Sequence, residues 1–63
     1  MFTVGQKVII NAGVLGPVEY QGIYEGTYTA PGALRNEHLV GIPSKTARYR
    51  QVALQDFEFR SAE

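Results

Sequence analysis

The groups with which a protein does nucleophilic or acid–base chemistry are scarce in this chain of 63 residues. It has one histidine, His38, one aspartate, Asp56, serines only at Ser44 and Ser61, and no cysteine. A catalytic triad would have to bring all the scarce types together, with Ser61 in what reads as a frayed tail. Paired carboxylates are the next option. Glu19 and Glu25 fall on one face of a single expected strand. At about 3.3 Å per residue they stand about 20 Å apart, too far to flank one scissile bond. No Gly-x-Gly occurs, so phosphate-loop and dinucleotide fingerprints are absent. A metal site at His38 gains nothing from Glu37, which points to the opposite strand face. These residues predict no catalytic group, no metal site and no cofactor, and the chain reads as a non-enzyme.

Two other patterns suit binding. Tyr20, Tyr24 and Tyr28 recur every four residues, which puts them on one face of an extended strand. An exposed tyrosine row offers stiff, amphipathic contact area for a protein surface or for stacked bases. The alternative is that the rings cap a core with their hydroxyls at its rim. The second pattern is Ser44-Lys45-Thr46-Ala47-Arg48-Tyr49-Arg50, which holds three of the six basic residues. Arg48 and Arg50 should share a face with Tyr49 opposite. Basic groups interleaved with an aromatic grip phosphate and stack on bases, and they dock acidic protein surfaces equally well. A plain solvated hairpin is the competing reading. Glu19, Glu25, Glu37, Asp56 and Glu58 lie elsewhere, so a two-faced charge distribution is expected. The loop from Thr29 to Glu37 presents Leu34 and Arg35, a third binding candidate unless Leu34 tucks under the core.

The elements that position these residues follow from size and punctuation. Sixty-three residues make one domain, 1–63, whose core must be thin. Without cysteines, no disulfide or thiolate metal site can staple it, so good packing or self-association must serve. Lack of cysteine also fits a cytoplasmic compartment. Six basic and six acidic residues cancel and the pI is about 6.6, which argues against a dedicated nucleic-acid binder. No apolar run is long enough to span a bilayer, and Met1-Phe2-Thr3-Val4-Gly5 lacks the regions of a signal peptide.

Glycine and proline interrupt every stretch that might keep helical periodicity, which predicts short strands and turns. We place strands over Lys7–Asn11, Val18–Thr29, Glu37–Ile42, Arg48–Val52 and Asp56–Arg60. Ala53-Leu54-Gln55 reads as one tight helical turn, and Ser61 to Glu63 as a frayed tail. Gly22 and Gly26 inside the long second strand imply a bend or bulge. Five short antiparallel strands are best protected by closing the sheet, so a small all-β barrel is expected. The expected core is Val4, Val8, Ile10, Ile23, Leu39, Val40, Val52, Leu54, Phe57 and Phe59. The choice between Leu39 and Val40 stays open, because a one-residue slip exchanges their faces.

Val4-Gly5-Gln6-Lys7-Val8-Ile9-Ile10 resembles the opening of Src-homology-3-like small barrels, including KOW-type modules, with the glycine-spaced segment Gly22 to Gly26 following. Val52-Ala53-Leu54-Gln55-Asp56-Phe57-Glu58-Phe59 is similar to their ending. The resemblance implies a five-stranded antiparallel barrel with one short helical turn before the last strand. It implies little about activity, since such barrels host many functions. The rhythm is also similar to that of plasmid-borne type II dihydrofolate reductases, tetramers that bind folate and NADPH in a central pore. Where their pore motif reads Val-Gln-Ile-Tyr, this chain has Tyr49-Arg50-Gln51-Val52, with valine in place of the tyrosine.

Three functions follow as expectations. The first is a module that engages and modulates a protein partner through Tyr20, Tyr24, Tyr28, Leu34, Arg35, Arg48 and Arg50, of the kind compact phage genomes encode. The second is a nucleic-acid-associated module resting on Lys45, Arg48, Tyr49 and Arg50. The third is an oligomeric pore enzyme.

Overall fold

The computed structural model describes residues 2–32, 36–45 and 48–62. Five strands form one antiparallel sheet: β1 Lys7–Ile10, β2 Tyr20–Tyr28, β3 Glu37–Gly41, β4 Gln51–Leu54 and β5 Phe59–Ser61. Their order is β4-β3-β2-β1-β5. The expected all-β architecture is therefore present, but β4 and β5 do not pair and the sheet is not closed. Among the described residues there is no helix, and hence none long and apolar enough to cross a membrane.

The sheet is nonetheless strongly curled. His38 of β3 and Phe59 of β5 stand three strand spacings apart in the order, about 14 Å on a flat sheet. Their rings meet edge to face with centroids 5.5 Å apart. The curl gathers Val8, Ile10, Tyr24, Val40, Ile42, Leu54 and Phe59 into one buried cluster, with Phe2, Val14, Leu15, Tyr20 and Val52 packed against it. All five strands thus feed a single core, and their alternation places it on the concave face.

Two glycines in β2 make this curl possible for different reasons. At Gly22 a Cβ would stand 2.5 Å from Val40 Cγ1 and 3.1 Å from the Gly41 carbonyl oxygen, so only glycine lets β2 approach β3 so closely. Gly26 has φ of +120° and follows a bulge: Tyr24 pairs with Val40 and Gly26 with Leu39, leaving Glu25 unmatched. The extra residue reverses the side-chain phase. Before the bulge Tyr20, Gly22 and Tyr24 face inward; beyond it Thr27 lies opposite His38, and Tyr28 turns to the other face.

Several expectations are corrected. Val4 and Phe57 are 69% and 72% exposed rather than core residues. Val4 sits in a turn closed by the Gln6 amide donating to the Thr3 carbonyl, and Phe2 packs on Tyr24 and Phe59 instead. Phe57 sits in the turn 55–58, where the last strand was expected to begin, and the helical turn expected at Ala53-Leu54-Gln55 is absent. Ala53 and Leu54 belong to β4, and the turn is held by Glu58 N to Gln55 O and by Gln55 N to Glu58 Oε1. Because β4 starts at Gln51, Arg48 and Arg50 precede it and do not share a strand face. Val40 is fully buried, whereas Leu39 and Ile23 are half-buried on the convex face. Ser61 lies in β5 and the Ala62 amide donates to the Lys7 carbonyl, so the chain is tied down through 62 rather than frayed.

Candidate functional site

The expected tyrosine row is split three ways. Tyr24 is buried, its ring among Phe2, His38 and Phe59. Its hydroxyl shares a 2.9 Å hydrogen bond with His38 Nδ1. Tyr28 is exposed opposite Glu37 at the far end of β2. Tyr20, half-buried at the near end, reaches a recess of its own.

That recess is lined by Leu15, Tyr20, Ile42, Arg48 and Tyr49. Its floor is apolar because Ile42 belongs to the buried cluster and Leu15 packs against it. Its wall is cationic and aromatic. Arg48 lies over the Tyr49 ring, with the guanidinium carbon 5.8 Å from the ring centroid, within reach of a cation–π attraction. The Ile42 amide donates to the Arg50 carbonyl at 2.8 Å, continuing the β3–β4 ladder by one step and fixing this segment to the sheet. On the other side, the Gly13 amide donates to the Gly16 carbonyl at 2.7 Å, folding the 11–19 loop back toward Tyr20. Tyr49 is left 46% exposed.

Two candidates from separate sequence patterns, Tyr20 and the Arg48–Tyr49 pair, therefore meet in one place. Arg50 lies on the adjacent surface with Glu25, Gly41 and Pro43, and Lys45 is exposed nearby in sequence. Leu34 and Arg35 lie outside the described residues. Leu15 and Ile42 are the site residues that sequence reasoning missed. Ile42 carried a signal, since it alternates with Val40; Leu15, in an irregular loop, carried none.

Three acidic groups, Glu37, Asp56 and Glu58, lie near the opposite end of β4, while Glu19 and Glu25 lie elsewhere. Gln55 bridges Glu37 through its side chain and Glu58 through its backbone amide, and Asp56 follows. Asp56 and His38 both line a shallow, mainly apolar depression with Phe2, Tyr24 and Thr27. No group of three or more potential metal ligands occurs among the described residues. On β5, Ser61 accepts a hydrogen bond from Gln6 Nε2, and Glu19 is ion-paired to Arg60 at 2.7 Å. Glu25 bonds Gln51. The carboxylates considered for acid–base work are thus each engaged separately.

No protein-family model, curated protein or solved structure matches this chain.

Proposed function

We infer that this chain is a non-enzymatic binding module that modulates a protein partner, and that the partner engages the recess of Tyr20, Arg48 and Tyr49. One observation carries the reading: an arginine stacked on a half-exposed tyrosine walls a recess whose floor is part of the core. Tyrosine and arginine at the edge of a rigid apolar pocket are the residue types that dominate protein–protein hot spots. Tyr20 stands on β2 and the Arg48–Arg50 segment is tied to the sheet through the Arg50 carbonyl, which limits the entropy lost on binding. The reading keeps the small-barrel resemblance as its structural setting, and a small modulator from a compact genome as its context.

The test is capture of a partner by the tagged chain, followed by titration of that partner against variants. Tyr49→Ala and Arg48→Ala should each weaken binding at least about tenfold, while Tyr28→Ala at the other end of β2 changes nothing. Equal affinity for all three variants refutes the site. The same residues would serve nucleic acid. That reading predicts steep weakening of DNA or RNA binding with salt, and it is opposed by the zero net charge.

A further inference from the structure

We propose that two copies of this chain associate through their β4 edges, antiparallel, about a two-fold axis at Ala53.

The two edges of the sheet differ. β5 is three residues long, and its central Arg60 is committed to Glu19 and Asn11. That short, charged strand has the features that discourage edge pairing. β4, four residues long, lacks the charge: Gln51-Val52-Ala53-Leu54 carries no charged residue and no proline, and Ala53 is small and exposed. Its hydrogen-bonding phase is fixed by the bond from the Ile42 amide to the Arg50 carbonyl together with the register Val40↔Val52 and His38↔Leu54. In an antiparallel ladder bonded and non-bonded pairs alternate. Arg50, Val52 and Leu54 therefore face β3, and the backbone groups of Gln51 and Ala53 point outward. No hydrogen bond among the described residues uses them.

A second copy fits this edge better than an unrelated strand because the edge is complementary to itself. Antiparallel pairing of like faces needs a residue, not a peptide bond, on the axis. The outward-pointing residue at the middle is Ala53. Centring there lets each Ala53 amide donate to the other Ala53 carbonyl. Val52 then meets Leu54 of the second copy, extending the core face across the seam. Gln51 meets Gln55 of the second copy, where the Glu58 carboxylate already holds the Gln55 amide and the ladder ends. Just beyond the last rung, where the chain turns at Asp56, Arg50 comes near Asp56 of the second copy, twice by symmetry. Neither Arg50 nor Asp56 has an ion-pair partner among the described residues of its own chain. Parallel pairing would instead set arginine beside arginine. Arg48 stays on Tyr49 in the recess, so the edge and the recess are separate surfaces.

The seam is short, so the association is weak and concentration-dependent. Sedimentation of the full chain from about 10 µM to about 1 mM should show a monomer–dimer equilibrium that shifts toward monomer with added salt. Ala53→Lys sets two like charges at the axis and should leave only monomer, with an unchanged circular dichroism spectrum because the side chain is exposed in the monomer. Arg50→Asp should raise the dissociation constant on the order of tenfold, and adding Asp56→Arg to it should restore the wild-type value. Tyr49→Ala, which tests the recess, should leave the dimer intact. A chain that stays monomeric throughout, a dimer that survives Ala53→Lys, or a charge reversal that is not rescued would overturn the proposal.

Discussion

Replacing Gly22 with alanine should destabilise this protein by about 1–2 kcal/mol, although alanine is otherwise the better strand residue. The new Cβ would lie 2.5 Å from Val40 Cγ1, 3.1 Å from the Gly41 carbonyl oxygen and 3.6 Å from Val8 Cγ2. Carbon atoms in good contact stand about 3.5–4.0 Å apart, so the first contact overlaps by about 1 Å. Val40 has no room to yield: it is fully buried and β-branched, with few rotamers to exchange. Overpacking of this kind costs about 1–3 kcal/mol. Gly22 is not among the glycines with positive φ, so alanine regains about 0.4–1 kcal/mol by restricting the unfolded chain. The difference is a large share of the roughly 3–9 kcal/mol expected for a domain of this size. It should lower the melting temperature by about 5–15 °C. Urea titration followed by circular dichroism gives the number directly. Val40→Ala removes the offending methyl and, alone, should cost on the order of 2 kcal/mol for its lost packing. In that background the Gly22→Ala change should become neutral or favourable. Wild-type stability for Gly22→Ala, or simple additivity of the two changes, would refute the close approach of β2 to β3.

Three further outcomes follow from the same packing. Tyr24→Phe keeps the ring among Phe2, His38 and Phe59 but removes the hydroxyl bonded to His38, and should cost about 0.5–1.5 kcal/mol in denaturant titration. The Glu19–Arg60 ion pair is half-exposed on both sides, so a double-mutant cycle should give a coupling below about 1 kcal/mol that shrinks in high salt. Phe57→Ser and Val4→Ser should each change stability by no more than about 0.5 kcal/mol, since both side chains stand in solvent; a loss above about 2 kcal/mol would return them to the core.

Strand number, strand order of magnitude in length and most of the core were legible because β-branched residues alternate between glycine and proline punctuation. Val8 with Ile10 needed nothing more, whereas alternation alone left Val40 and Leu39 interchangeable, and Leu54, expected in a helical turn, is buried on β4. What was not legible depended on phase. Gly22 and Gly26 look alike in sequence, yet one serves a close approach and the other a positive φ beside a bulge. Only the second reverses the alternation, and that reversal separates Tyr28 from Tyr20 and Tyr24. The chain's end misled for a related reason: Phe57 and Phe59 alternate as in a strand, but the turn 55–58 rotates Phe57 outward before β5 begins. Phe2 precedes every periodic segment, so no pattern could place it over Tyr24 and Phe59. The recess was legible only in parts. Tyr20 and Tyr49 are far apart in sequence, and they meet because the β3–β4 ladder runs on to Arg50.

The buried cluster holds only hydrophobic side chains, and no buried polar or charged residue occurs among the described ones. In a domain this small, an interior polar cluster would displace side chains that the thin core needs. Among the described residues, polar and charged side chains are therefore confined to the rim and the edges, where the curl decides what is presented. Curling brings His38 and Phe59 together and buries one face, but it leaves β4 and β5 as the exposed edges of the sheet. β5 answers that exposure with Arg60 and its partners. β4 has uncharged residues along its length, an arginine just before it and an aspartate just after. The same four-residue strand thus carries the stacked Arg48–Tyr49 wall at its approach and an unprotected ladder along its side. That concentration of unsatisfied contacts on one strand is why both the recess and the self-pairing edge are assigned there, and not to the better-guarded β5.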